Sequence, residues 1–140
     1  LQFRTIATPV VVILFSLLGG TAVAWLMDMD IRNGLVLSAG FGWFSLSGVL
    51  VTANLGEFYG AASLMTDLFR ELLSIVVLFF LGARHPVPAI GTSGATAMDT
   101  TLPIIKKITG NHYIATAIFC GAVLSLVAPF LLTWLLTLFN

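Results

Sequence analysis

Gly91-Thr-Ser-Gly-Ala-Thr-Ala-Met-Asp-Thr-Thr101, with Pro103 just beyond it, is the stretch on which the fold turns. Its only large apolar side chain is Met98, it carries a carboxylate at Asp99, and it lies in a chain whose mean hydropathy is +1.07. Such backbone cannot face hydrocarbon, where every N–H and C=O needs a partner; it persists at membrane depth only inside protein or against a wet cavity. The stretch therefore predicts an interrupted membrane helix. Pro103 adds to this, because a proline has no N–H to offer the carbonyl four residues before it, here that of Asp99. Asp99 is then expected to offer a cation two oxygens, one from its side chain and one from its backbone. Gly91, Ser93, Gly94, Thr96, Thr100 and Pro103 are the residues expected to support the break, and discontinuous helices of this kind hold substrates and coupling ions in carriers.

The composition agrees with a bilayer as solvent. Of 140 residues, 59% are hydrophobic and 9% charged, whereas soluble chains carry nearer a quarter charged residues. The length suits one domain, expected to be a single transmembrane unit over 1–140. Six basic residues balance six acidic ones, which argues against nucleic acid as a partner. The lone Cys120 lies in an apolar run and reads as a small core residue, leaving neither a disulfide framework nor a cysteine metal site. His85 and His112 fall at expected interfaces with no second ligand nearby, so no metal site and no cofactor is expected. The chain begins at Leu1, as a trimmed or excised piece of something longer would. Its first apolar segment is too long for a signal-peptide core and reads as a permanent span.

Working outward, the sequence predicts an all-α membrane protein of about five transmembrane segments, the fourth broken. Segment one lies between Arg4 and Asp28, with Gly19-Gly20 expected to pack closely on another helix. Segment two, Gly34 to Leu55, gathers Ser38, Gly40, Gly42, Ser45, Ser47 and Gly48 at its centre; it is either unwound at Gly40 to Gly42 or an ordinary tight helix crossing. Segment three, Phe58 to Leu81, holds Asp67, Arg70 and Glu71 near its middle. At roughly 3 kcal/mol for each central charge, lipid exposure of all three is untenable, so they must point inward. Gly60, Ser63, Asp67, Glu71 and Ser74 recur at helical spacing and predict one inward polar stripe. Asp67 and Arg70, three apart, suit a buried ion pair that satisfies itself. Segment four, Val87 to Ile105, either crosses or re-enters as a hairpin. Segment five runs from Tyr113 to Phe139, with a kink expected at Pro129, and Trp25 and Trp134 read as interfacial anchors. If all five cross, Arg4, Lys106 and Lys107 share one side and Arg32 and Arg84 the other, which puts the N-terminus in the cytoplasm and the C-terminus outside.

Three motifs, Ser38-Ala-Gly-Phe-Gly-Trp-Phe-Ser-Leu-Ser-Gly48, Asp67-Leu-Phe-Arg-Glu71 and Gly94-Ala-Thr-Ala-Met-Asp-Thr-Thr-Leu-Pro103, resemble in content, order and spacing the signatures of the bacterial lysine exporter (LysO) family. The resemblance spans roughly Arg4 to Leu132. It implies a carrier, not an enzyme, that exports L-lysine and toxic lysine analogues across the cell inner membrane in exchange for protons. It further implies kinship with the cation/proton antiporter and bile-acid symporter superfamily, whose inverted repeats each hold five spans with the fourth broken. Carried over by motif, Asp99 and Glu71 are the acids on the substrate and proton path; from its place in the inward stripe Asp67 is expected on that path as well, with Arg70 as a supporting residue. Full-length members carry further spans ahead of the matched region, so the chain resembles their C-terminal half; a partner chain, a second copy in a homo-oligomer, or the remainder of a longer chain would supply the rest. Thr66 stands where the family often has asparagine.

Lysine carries two ammonium groups and a carboxylate, so its carrier needs oxygens for the amines and donors for the acid. Asp99 and exposed carbonyls are expected to take an ammonium, and the start of the half-helix after the break the carboxylate. A carboxylate that holds either a proton or an ammonium makes the two compete, which suffices for antiport. Two other readings compete: a carrier of the same fold for another cation or solute, and a non-transporting membrane subunit whose polar stripe docks a partner. Against the latter stands Asp99 at a break, which docking does not need.

Overall fold

The computed structural model describes residues 3–138 and is helical throughout. Three long helices, α1 (Phe3–Leu26), α4 (Glu57–Leu81) and α7 (Ile114–Leu138), run the length of the bundle. Between them lie two pairs of short helices. In the first, α2 (Ile31–Ser38) and α3 (Phe44–Leu55) flank an unwound tip at 39–43; in the second, α5 (Pro86–Ser93) and α6 (Leu102–Thr109) flank a 3₁₀ turn, Gly94–Met98, and a short loop. By length and composition α1 and the stretch Asn111–Leu138 can cross a membrane. Large apolar side chains such as Phe15, Leu18, Phe69, Leu72, Phe80 and Phe130 point outward, the surface a bilayer covers.

Each short pair folds back on itself. A Cβ added to Gly82, at the end of α4, would stand 2.9 Å from Ile108 Cγ2, so α6 finishes beside the place where α5 starts. Asn33 Nδ2 in α2 donates to the Tyr59 hydroxyl at 3.0 Å, so α3 likewise returns to the end from which α2 left. The long helices fix which end is which. Thr5 and Thr116 share a hydrogen bond of 3.3 Å, and Arg32 Nη2 donates to Leu136 O at 3.2 Å, so α1 and α7 run parallel. Hairpin one (31–55) therefore enters from the end holding Arg32, and hairpin two (86–109) from the end holding Arg4. Their tips meet in the middle, where Ala95 N–H donates to Phe41 O at 2.8 Å.

This departs from a reading of five straight helices. Segments two and four each fold back as a hairpin within the bundle, and segment two takes the unwound alternative at Gly40 to Gly42. The reason is local: Gly42 (φ +90) and Gly94 (φ +64) occupy backbone that favours glycine, and each reverses a chain whose flanking helices span only about 12 to 18 Å. Phe139, the expected end of segment five, lies outside the described residues, and Pro129 lies inside α7.

Small residues let these backbones touch. A Cβ on Gly20 would collide with Gly34 O and Ser38, so α1 and α2 meet here; next to it Gly19 faces open space. Gly60 presses on Thr52 across the α3–α4 turn, while Gly56 (φ +94) makes the turn, and a Cβ there would meet open space. A Cβ on Gly121 would lie 2.7 Å from Met98 N, which seats the second tip against α7. Overfilling such a contact costs roughly 1–3 kcal/mol. Gly60→Val should therefore lower the thermal unfolding midpoint of the detergent-solubilised protein, whereas Gly19→Val, in open space, should leave it unchanged.

Candidate functional site

The site is the junction of the two tips with the middle of α4. As the stripe predicted, Gly60, Ser63, Asp67 and Ser74 are buried on the inner face of α4. Glu71, at the edge of that face, is half-buried; its carbonyl accepts from Ser74 Oγ at 2.7 Å, and its carboxylate has no hydrogen bond or ion pair among the described residues.

Asp67 is 2% exposed. Its Oδ1 accepts the Gly42 N–H at 3.0 Å, and its Oδ2 accepts a short hydrogen bond from Ser47 Oγ. Gly40 has no room for a side chain, since a Cβ there would run into Oδ2. The carboxylate thus holds the tip of hairpin one, and its partners there replace the expected ion pair with Arg70. Both of its oxygens are committed. Ser45, expected in the same polar centre, lies on the exposed face of α3 instead, because successive serines at 45 and 47 point to different sides of one helix.

Arg70, one turn along, reaches the other tip. Nε donates to Thr92 O at 3.5 Å, and Nη1 donates to Ser16 Oγ of α1 at 3.0 Å. Gly94, at the tip, leaves the space that the guanidinium uses: a Cβ there would collide with Phe41 O and stand 3.3 Å from Arg70 Nη2. Sequence reasoning missed Ser16 and Thr92. A lone serine in the apolar run of α1 was the available signal.

The broken stretch is buried from Ser93 to Ala97 and opens at Asp99 and Thr100. Thr96 is its knot: its carbonyl accepts from Asp99 N–H, Thr101 N–H and Thr101 Oγ1, while its own hydroxyl donates to Ser93 O. Gly91 packs on Thr8 and Val12 of α1. Pro103 occupies the first turn of α6, where it needs no donor. The carbonyl of Asp99 is not left bare as expected, because Leu102 N–H turns back to it at 3.3 Å. The side chain of Asp99 accepts from the N–H and hydroxyl of Thr100 through Oδ1 only. Its Oδ2 is uncommitted among the described residues. Ser63 and Ser93 hydroxyls are buried without a partner among the described residues.

A carboxylate that is saturated and buried has a holding role; one that is exposed with a free oxygen can take a cation. If Asp67 holds the tip, Ser47→Ala should cost about 1–3 kcal/mol by leaving a buried carboxylate oxygen under-bonded. The loss is measurable as a lower unfolding midpoint, accompanied by faster amide exchange at 39–43.

Comparison with known proteins addresses what such a junction serves. Residues 1–136 match the family model described as "Lysine exporter LysO". The chain is 40% identical over 134 residues to the "Lysine exporter LysO" of Escherichia coli (strain K12), a match covering 96% of this chain and 45% of that protein. It is 41% identical over 121 residues to the "Putative lysine exporter" of Haemophilus influenzae, covering 86% of this chain and 62% of that one. The chain therefore spans about half the length of the curated relatives it matches. No solved structure matches it. Because the matched region takes in both hairpins and the turn of α4 that holds them, the chain belongs to the lysine exporter LysO family.

Proposed function

We propose that this chain forms the part of a secondary carrier in which L-lysine, and analogues of it, leave the cell through the inner membrane in exchange for protons. Asp99 carries this reading. It stands at a helix break on a re-entrant hairpin, is open to solvent, and keeps one carboxylate oxygen free. An acid in that position has few uses in a membrane besides holding a passing cation. An ammonium and a proton bind the same oxygen in turn, and that exclusivity couples their flows. Glu71, half-buried and unpaired on α4, is the second acid of the path. Asp67 serves the path by holding tip one.

The re-entrant hairpins also sharpen the orientation. Arg4, Arg84, Lys106 and Lys107 gather at one end with no acid beside them, while Asp28, Asp30 and Glu57 gather at the other with Arg32 alone. Reading five crossings leaves three basic residues against two; hairpins leave four against one. The positive-inside rule then sets the Arg4 end in the cytoplasm, so hairpin two dips in from the cytoplasm and hairpin one from outside.

Two experiments test these statements. With remaining cysteines removed, Cys120 included, a cysteine at Arg84 should react with a membrane-impermeant maleimide only from the cytoplasmic side, and one at Glu57 only from outside. Five crossings give the opposite pattern at both positions. In inside-out vesicles containing the complete transporter, Asp99→Asn should cut proton-driven lysine uptake by at least about tenfold, the effect of losing roughly 1.4 kcal/mol of ion binding. Undiminished uptake would remove Asp99 from the mechanism.

A further inference from the structure

Arg70 is a guanidinium at mid-depth of an apolar bundle, and no carboxylate pairs with it among the described residues. The acids nearest in sequence are turned elsewhere, Asp67 to tip one and Glu71 to the edge of the inner face. Of the five N–H donors of a guanidinium, those of Nη2 have no acceptor among the described residues. Asp67, one turn away, acts on it through space without touching it, and a charge at this depth with no direct ion pair marks a functional position.

Arg70 also lies at the floor of a cavity of about 710 Å³ between α1 and α5. Phe3, Arg4 and Pro88 line it at the Arg4 end, Ser16, Arg70 and Thr92 form its floor at mid-bundle, and beside the exposed Val11 and Phe15 it also opens on the outer apolar face. From Arg4 to Ser16 along α1 is about 18 Å, so the cavity runs from the end assigned to the cytoplasm to the middle of the bundle. Its walls are apolar, Val11, Val12 and Phe15 among them, and no acid lines it among the described residues. It can take the carboxylate of a zwitterion and an aliphatic chain, and to the ammonium beside that carboxylate it offers the Thr92 carbonyl and the Ser16 hydroxyl oxygen.

The other expected receiver of a carboxylate, the start of α6, keeps at most one N–H to offer, that of Ile104, since Pro103 has none. The N–H groups of Asp99, Thr100, Thr101 and Leu102 all donate within the loop itself, to Thr96 O, Asp99 Oδ1, Thr96 O and Asp99 O. At the cavity floor the donors are available. Besides Nη2, the Ser16 hydroxyl accepts from Arg70 Nη1 and keeps its own proton to give. A planar fork with a hydroxyl beside it suits a carboxylate, which it binds through two parallel hydrogen bonds.

We propose that Arg70, assisted by Ser16, is the binding site for the α-carboxylate of the exported amino acid. This deepens the lysine-exporter reading and rests on it.

The test uses the complete transporter in inside-out vesicles, with labelled L-lysine as cargo and 1,5-diaminopentane, which is lysine without its carboxylate, as competitor. Wild-type protein should prefer lysine over the diamine. Arg70→Gln should raise the half-saturating lysine concentration by about tenfold or more, leave the diamine's inhibitory concentration unchanged, and so collapse the preference. Arg70→Lys, which keeps the charge and loses the fork, should fall between. Ser16→Ala should shift the same ratio in the same direction by a few-fold, and it serves where Arg70→Gln does not fold. A purely structural role would lower flux for both compounds and leave the ratio as it was. An unchanged ratio in whichever variant folds overturns the assignment, as does a defect that tracks only the anionic phospholipid content of the vesicles, which would make the occupant a lipid headgroup. Absence of lysine uptake by wild-type protein would instead overturn the exporter reading, and the carboxylate site with it.

Discussion

A helix broken inside an apolar bundle exposes donors and acceptors that no water can reach, and something must pair with both. One turn of α4 does so for two hairpins at once. The carboxylate of Asp67 accepts the stranded N–H of Gly42 and the hydroxyl of Ser47; the guanidinium of Arg70, three residues on, donates to the carbonyl of Thr92. An acid therefore serves the donors of one tip and a base the acceptors of the other. The remaining exposed pair, Ala95 N–H and Phe41 O, is matched directly between the tips. Pairing the acid with the base would have satisfied the two side chains and left both tips without partners.

That arrangement depends on missing side chains as much as on present ones. Gly40 lets the Asp67 carboxylate reach the backbone of tip one, and Gly94 lets Phe41 O and the guanidinium of Arg70 come close to tip two. Gly20 against Gly34 and Gly121 against Met98 then fix each hairpin to a long helix. In a bilayer, where lipid is as apolar as leucine, such backbone approach and internal hydrogen bonding drive helix association, since water is not there to be escaped.

The carboxylates divide the labour accordingly. Asp67 is enclosed and has both oxygens engaged, while Asp99 is open and has one engaged by its own neighbour Thr100. In the carrier proposed above, the first is the fixed point against which the tips are held, and the second is the group whose partner changes as cargo passes. Folding segments two and four back on themselves also sorts the charged residues, bringing Arg84 and Lys106-Lys107 to the end of Arg4 and Glu57 to the end of Asp28 and Asp30.

The amino-acid sequence by itself determined the all-helical class, the break around Gly94 to Asp99, the inward stripe of Gly60, Ser63, Asp67 and Ser74, and the family, because hydropathy, helical period and glycine chemistry are local properties. It pointed to the weak spot at Gly40 to Gly42 without deciding whether the helix unwinds there. Only tertiary structure decided that both interrupted segments fold back as hairpins, that Asp67 and Arg70 turn to different hairpins, and that Ser45 faces outward while Ser47 bonds the acid. The direction a chain takes after a break depends on which distant surface satisfies the freed backbone, and no spacing within 39–43 or 94–101 records that Asp67, Arg70 or Phe41 will be the surface it meets.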